Sequence, residues 1–119
     1  MSQERSIEDL VSAVSRFAAD REWSRFHDPK NLAMALSSEA GELLAILRWI
    51  GNADSDAFSR TPENAERIRN EIADVGILLL LLCERLNVSL SSAIDEKLKL
   101  NEAKYPVERS RGRSEPPSD

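Results

Sequence analysis

The sequence contains one cysteine and one histidine among its 119 residues. Cys83 has no second cysteine to pair with, so a disulfide within the chain is excluded. His27 alone excludes any zinc or di-iron site that needs two imidazoles, including the ferritin-like di-iron site with its Glu-x-x-His pairs. A metal bound by this chain would therefore be held by oxygen ligands.

Residues that form turns are also scarce. The chain has 4 glycines and 5 prolines, and aromatic residues make up 5% of it. Apart from valine, its apolar residues are mostly leucine and alanine, which favour helices over strands. Because the length fits one ordinary domain, we predict a single all-α domain organised like a four-helix bundle.

The chain lacks a long apolar run and an excess of positive charge. Its most apolar run, residues 77–83, is far shorter than the roughly 20 residues that cross a bilayer. The N-terminus does not show the basic and then apolar order of a secretory signal. A formal net charge of −5 disfavours a nucleic-acid-binding surface. Together these features predict a cytoplasmic protein that binds neither membranes nor nucleic acid.

Start and stop signals predict four helices. Capping residues and prolines place the first three at residues 7–21, 29–50 and 62–86. Ser89 or Ser91 is expected to cap the fourth, which continues to Lys104. Gly51 is expected to end the second helix in a left-handed conformation, and the polar residues 52–60 are expected to form a loop. The predicted domain spans residues 1–106, and a disordered tail is predicted for residues 107–119, where Arg, Ser, Gly, Pro and Glu dominate.

Four carboxylates occupy unusual positions on the second and third helices. With Leu36 placed at zero and about 100° per residue, Glu39 falls near −60°, at the margin of the leucine stripe, and Glu42 near −120°. On the third helix, Glu71 and Asp74 have the same two angles relative to its apolar stripe. If the two helices pack antiparallel through these stripes, the two acidic pairs converge.

Carboxylates gathered beside an apolar core require a cation. Burying an ionised group costs several kcal/mol, and like charges raise each other's pKa. An all-oxygen site suits Mg²⁺, with Mn²⁺ as a substitute, and Mg²⁺ also takes phosphate oxygens as ligands. A phosphate ester or anhydride is therefore the expected substrate class. Ordinary exposed glutamates would explain one acidic pair, but two pairs at matching angles favour the metal site.

Two segments resemble the paired Glu-x-x-Glu and Glu-x-x-Asp motifs of the all-α nucleoside triphosphate pyrophosphohydrolases, the MazG-like superfamily: EAGE at residues 39–42 and EIAD at residues 71–74. Over about residues 17–106, further residues are similar to those of the dCTP pyrophosphatase branch. They are Trp23, Phe26, His27, Pro29, Asn31, Trp49 and the run 97–106.

The resemblance implies Mg²⁺-dependent hydrolysis of a nucleoside triphosphate, in this branch dCTP or a modified dCTP, to monophosphate and pyrophosphate. Such an enzyme would cleanse the nucleotide pool. By the same resemblance, Glu39, Glu42, Glu71 and Asp74 form the metal site. Either Glu39 or Glu42 would accept the proton of the attacking water, and Glu39 is favoured because it lies nearer the apolar stripe.

Three residues near the second helix are candidates for contact with the base. Trp49 lies roughly 10 Å along the helix from Glu42 and on its side, about the distance from a phosphate to its base, so its ring could stack there. The alternative is a tryptophan that fills the end of the bundle. The resemblance also places Trp23 and His27 at the base or sugar, although a capping role for His27 is nearly as well supported.

The fourth helix contributes a polar stripe. The resemblance places Lys97 and Asn101 at the phosphates and Tyr105 beside the sugar or base. Leu78, one turn after Asp74, stands where the animal dCTP pyrophosphatases have a tyrosine. This departure makes the pocket more apolar, which is compatible with a preference for deoxyribose but leaves the accepted base open.

Apolar residues spread well around the third helix, more than four helices can hide. Another copy of the chain is expected to cover them, and the resemblance points to a dimer or to a tetramer made of two dimers. The competing interpretation is a non-catalytic helical module that presents an acidic face to a basic partner. That interpretation explains the charge but not the matching angles of the carboxylates.

Overall fold

The structure is a computed structural model that describes residues 3–115, and this part of the chain is helical without strands. The prediction of an all-α fold is confirmed. Two short 3-10 turns, Ser24–Phe26 and Asn52–Asp54, accompany the α-helices. The α-helices are α1 (Ile7–Asp20), α2 (Pro29–Leu47), α3 (Ser55–Arg60), α4 (Pro62–Arg85), α5 (Leu90–Lys104) and α6 (Val107–Ser110).

Side-chain caps fix the starts of three long helices, as the sequence predicts. The Ser6 hydroxyl accepts a hydrogen bond from the Asp9 backbone N–H at 3.0 Å and so caps α1. The Asp28 carboxylate accepts one from the Asn31 N–H at 2.8 Å ahead of α2. Ser89 caps α5 in the same way. Each cap satisfies a backbone donor that the first turn of a helix leaves without a partner.

The chain between α2 and α4 differs from the prediction. Gly51 has a φ of −60° and extended geometry, so it does not close α2 in a left-handed conformation. Residues 52–60 are helical rather than a loop, because Phe58 is half-buried and α3 packs against α4. A helix of six residues is unstable alone and needs such packing. At its end, the Phe58 carbonyl accepts hydrogen bonds from Thr61 Oγ1 and Asn64 Nδ2, each at 3.1 Å.

The described chain forms two compact units, one ending at Asn87 and the other beginning at Val88. Asn87 has a φ of 55°, a left-handed conformation that asparagine tolerates better than most residues, and it follows the end of α4. The second unit contains α5 and α6. The predicted tail begins at Val107, but Val107–Ser110 form the short helix α6. Residues 116–119 of that tail lie outside the described residues.

The core of the first unit is small. Leu32 of α2 is 1% exposed and packs with Ala18 of α1 and Leu81 of α4, and three half-buried side chains surround this cluster. The most extensive helix pair in the described chain is α2 with α4. Helix α2 contributes Leu32 to this core, and α4 contributes Leu81 with the half-buried Leu78 and Leu82.

Within residues 3–115, none of the helices taken singly has the length and apolar character to span a membrane; α4 and α5, taken together as a bent pair, pass the same test of length and composition.

Candidate metal centre

Helices α2 and α4 run in opposite directions. Glu39 of α2 lies beside Glu71 and Asp74 of α4. Ala45, further along α2, shares a cavity with Arg67, which stands earlier on α4. The two helices are therefore antiparallel, which is the arrangement in which the two acidic pairs were predicted to converge.

Three of the four predicted metal ligands come together at this interface. Glu39, Glu71 and Asp74 each offer one carboxylate oxygen, and these oxygens all lie within 4.8 Å of one another. Glu39 and Glu71 are half-buried and Asp74 is exposed. Opposite oxygen ligands of a divalent cation are about 4 to 5 Å apart, so the three oxygens are close enough together to bind one such ion.

Glu71 has a carboxylate oxygen that is buried within the protein. Its Oε2 atom is buried and has no hydrogen-bond partner in the described part of the chain. The pKa of the Glu71 carboxyl is raised, first by a hydrogen bond with the Glu39 carboxyl, then by burial and by the charges of Glu39, Asp74 and Glu42. A cation would provide the missing partner and remove the repulsion, so the residues present fit a bound metal ion.

Glu42 lies outside the acidic cluster but close to it. Its side chain is exposed, and its charge contributes to the raised pKa of Glu71. It also lines a cavity of about 270 Å³ together with Glu71. Its assignment as a fourth metal ligand stays a prediction.

The loop after α1 holds two of the predicted base-binding residues together. Glu22 turns the chain with a φ of 55°, and the following Trp23 packs edge-on against Phe17, with ring centroids 5.7 Å apart. The His27 ring lies 6.5 Å from that of Trp23. Arg85, at the end of α4, donates a hydrogen bond from Nη1 to the Ser24 carbonyl at 3.1 Å and so ties this loop to the helix that carries Glu71.

Trp23 and His27 open onto an apolar cavity of about 490 Å³ between α1 and α4. Leu78 also lines it, one turn beyond Asp74 on α4. These three residues thus line one apolar cavity that is large enough for a ring system. The role of Trp23 and His27 at the base or sugar, which the resemblance implies, stays a prediction.

Trp49 is separate from this apolar cavity. It follows the end of α2 at Leu47 and is 84% exposed, with the Arg48 guanidinium 5.3 Å from its ring centre. Such exposure rules out the alternative in which Trp49 fills the end of the bundle. Among the described residues that line the apolar cavity, Trp49 does not occur.

The three predicted substrate ligands near the C-terminus belong to the second unit. Lys97 is exposed on α5, and Asn101 is half-buried near the end of that helix. The Asn101 carbonyl accepts the backbone N–H of the C-cap residue Tyr105 at 2.7 Å, and α5 ends at Lys104, ahead of Pro106. Their proposed roles toward the phosphates and the sugar stay predictions.

Two residues at the site escaped the sequence analysis. Arg67 and Asn70 line the 270 Å³ cavity beside Glu42 and Glu71. Arg67 precedes Glu71 by four residues, and Asn70 precedes Asp74 by four. Residues four apart lie on one face of a helix, so this spacing could have predicted that Arg67 lies near Glu71 and Asn70 near Asp74.

The chain matches the MazG-like family over residues 34–119. Among curated proteins, it is 37% identical over 111 residues to dCTP pyrophosphatase 1 of Rattus norvegicus and 34% identical over 113 residues to dCTP pyrophosphatase 1 of Homo sapiens. The matches cover 93% and 95% of this chain. They cover 65% and 66% of the two relatives, so the chain spans somewhat less than two thirds of their length.

A solved structure is similar over nearly its whole length. The crystal structure of a pyrophosphatase from Archaeoglobus fulgidus superposes with a TM-score of 0.78 at 35% sequence identity. The match covers 89% of this chain and 97% of the archaeal chain. Both the sequence and the fold therefore have close counterparts among these proteins.

The raised pKa of Glu71 predicts a pH effect on stability. Without metal, the folded state binds the Glu71 proton more tightly than the unfolded state, so its contribution to stability is complete below the ordinary glutamate range and is lost as pH rises through the raised pKa. We expect metal-free Glu71→Gln protein to unfold at a higher temperature than wild type at pH 7, with the difference shrinking toward about pH 4.

Thermal unfolding in a chelator across that pH range checks this expectation. Adding Mg²⁺ should stabilise the wild type more than Glu71→Gln. Glu66→Gln is the matched control, since Glu66 is an exposed glutamate of the same helix outside the acidic cluster. Equal pH profiles for wild type and Glu71→Gln would contradict the prediction.

Proposed function

Because the chain belongs to the MazG-like family, we propose that it is a Mg²⁺-dependent nucleoside triphosphate pyrophosphohydrolase that acts on dCTP or a modified dCTP. The observation that carries this proposal is the acidic cluster of Glu39, Glu71 and Asp74 with its orphaned Glu71 oxygen. Relatives called dCTP pyrophosphatase 1 support the choice of nucleotide. The proposed role is the cleansing of a cytoplasmic nucleotide pool.

The acidic cluster would hold Mg²⁺, which supplies charge neutralisation for a bound triphosphate. The reaction also needs a base for the water that attacks the α-phosphorus. Glu42 now becomes the better candidate than Glu39, because Glu39 belongs to the three-oxygen cluster while Glu42 stands exposed beside it. A carboxylate that is not committed to a cation remains free to accept the proton.

Two features are proposed to bind the nucleoside. The ring of Trp49, which is exposed, would stack on the base. The apolar cavity lined by Trp23, His27 and Leu78 would surround the sugar or the edge of the base. An apolar contact at Leu78 disfavours a 2′-hydroxyl, which favours deoxynucleotides. Lys97 and Asn101 are proposed to bind the phosphates, and Tyr105 is proposed to contact the sugar or base.

The alternative of a non-catalytic acidic module is less well supported. Such a module would display its carboxylates to a partner on the outside of the fold. Glu39 and Glu71 are instead half-buried at a helix interface, and Glu71 has a buried oxygen without a partner. Burial of this kind is costly and is typical of a site that binds a cation.

The first test of the proposed function is hydrolysis itself. Purified protein incubated with each of the four dNTPs and Mg²⁺ should release pyrophosphate and the monophosphate, fastest with dCTP or a modified dCTP. Asp74→Asn and Glu42→Gln should each lower kcat about 10²-fold or more, since each removes either a metal ligand or the base.

The exposed Glu66→Gln variant serves again as the control and should retain wild-type turnover. Circular dichroism of all three variants verifies that the helices form. A protein that releases no pyrophosphate from any dNTP, or an Asp74→Asn enzyme with wild-type turnover, would refute the proposed function.

A second prediction separates stacking from base selection. Stacking is sequence-tolerant and is worth roughly 1–3 kcal/mol, so Trp49→Ala should raise KM by similar factors for every accepted nucleotide. His27→Ala changes the wall of the apolar cavity and should alter the ranking among bases. Steady-state kinetics on the four dNTPs check both; a Trp49→Ala enzyme with unchanged KM values would remove Trp49 from the site.

A third prediction concerns assembly, for which we propose a dimer or a dimer of dimers. The described chain leaves large apolar side chains open to solvent, among them Met34, Leu44 and Ile72 of α2 and α4, and Leu98 and Leu100 of α5. An isolated soluble chain rarely exposes so much apolar surface. Light scattering at micromolar concentration should give twice or four times the mass of 13.3 kDa; a monomer mass would contradict the proposal.

A further inference from the structure

An open cavity of about 270 Å³ adjoins the acidic cluster between α2 and α4. One wall, from α2, consists of Glu42, Ala45 and Ile46, and the other, from α4, consists of Arg67, Asn70 and Glu71. Glu71 belongs to both the cavity and the acidic cluster. A molecule in the cavity would therefore touch whatever the acidic cluster binds.

Arg67 is the cationic residue of this cavity, and its neighbours along the helix do not neutralise it. Glu63 and Glu71 stand four residues before and after it, the spacing at which arginine and glutamate pair on a helix. Neither carboxylate lies within 4.0 Å of the Arg67 guanidinium in the described part of the chain, so neither forms an ion pair with it. The guanidinium thus stays available to a ligand.

The chemistry of the cavity suits phosphate groups. A guanidinium presents several N–H donors in a rigid fork that matches phosphate oxygens, and the Asn70 amide adds two more donors. The side chains of Ala45 and Ile46 on the facing wall are apolar and offer no competing acceptor. The volume corresponds to several water molecules at about 30 Å³ each, enough for two linked phosphate groups.

We propose that Arg67 and Asn70 bind the β- and γ-phosphates of the substrate and hold the pyrophosphate as it leaves. This inference rests on the proposed function. The water oxygen forms a bond to the α-phosphorus, the bond from the α-phosphorus to the α–β bridging oxygen breaks, and the electron pair stays on that oxygen. The proton of the water passes to Glu42. The Arg67 charge stabilises the negative charge that develops on the departing pyrophosphate.

A cationic side chain at position 67 reduces the repulsion between the substrate phosphates and the carboxylates nearby. A triphosphate adds negative charge to a region that already holds Glu39, Glu42, Glu71 and Asp74. A metal ion in the acidic cluster offsets part of this charge. Arg67 stands one helical turn before Glu71 and lines the cavity. It would therefore offset the charge of the phosphate groups that enter the cavity.

The test measures pyrophosphate binding separately from catalysis. Calorimetric titration with pyrophosphate in the presence of Mg²⁺ compares wild type with Arg67→Ala, which should bind about 10- to 100-fold more weakly, as expected for loss of hydrogen bonds to a charged group. Arg67→Lys should recover part of the affinity because it keeps the charge but loses the fork. Binding of dCMP, which has no β- or γ-phosphate, should be unchanged in Arg67→Ala.

Two further variants guard against effects on folding. Asn70→Asp keeps the shape of the side chain but adds a negative charge, and it should also weaken pyrophosphate binding. Arg69→Ala removes a neighbouring exposed arginine of α4 that does not line the cavity, and it should bind pyrophosphate like wild type. In kinetics with dCTP, Arg67→Ala should lower kcat and be less inhibited by pyrophosphate.

The possible results separate this inference from the proposed function. Equal pyrophosphate affinity in wild type and Arg67→Ala, or an equal loss of dCMP affinity, would overturn the inference while hydrolysis by the wild type stands. A changed ranking of bases in Arg67→Ala with unchanged pyrophosphate binding would assign the cavity to the base and would also overturn it. If Arg67 is needed for pyrophosphate binding but no dNTP is hydrolysed, the proposed function fails and the anion site remains.

Discussion

The apolar packing of α2 against α4 holds together carboxylates that repel one another. The acidic cluster exists because the packing of α2 against α4 brings Glu39 within reach of Glu71 and Asp74. Without a cation, this closeness raises the pKa of Glu71 and leaves one of its oxygens without a partner. The free energy gained by burying leucines therefore maintains a site that would otherwise open.

The central place of α4 in the packing also explains where the 270 Å³ cavity and the apolar cavity lie. Both adjoin α4, the longest helix and the one that contacts α1, α2 and α3. One face of α4 meets α2 at the acidic cluster and the 270 Å³ cavity, and another meets α1 at the apolar cavity. Arg85 extends this organisation by binding the carbonyl of Ser24, so that the loop with Trp23 and His27 is fixed to the same helix. A shift of α4 would therefore disturb the acidic cluster and both cavities.

The small core has a related consequence. Few side chains of the described chain are fully buried, while many large apolar residues remain open to solvent. A fold that buries so little by itself has limited stability to hold repelling carboxylates together. Burial of this apolar surface by another copy would add stability to the fold that contains the α2–α4 interface. Because that interface holds the repelling carboxylates together, an oligomer would help to maintain the proposed metal site.

The sequence alone determined the helical class, the starts of the long helices and the candidate ligands, because caps, prolines and apolar periodicity act over a few residues. Ser6 and Asp28 cap helices as predicted, and of the two serines predicted to cap α5, Ser89 does so. The helix α3 was missed because it is stabilised by packing against α4, a contact between segments that local signals do not report. Distances across a helix interface depend on how the two helices pack, which local signals do not determine. Only the tertiary structure could therefore show that Glu42 lies outside the acidic cluster and that Arg67 and Asn70 line the cavity.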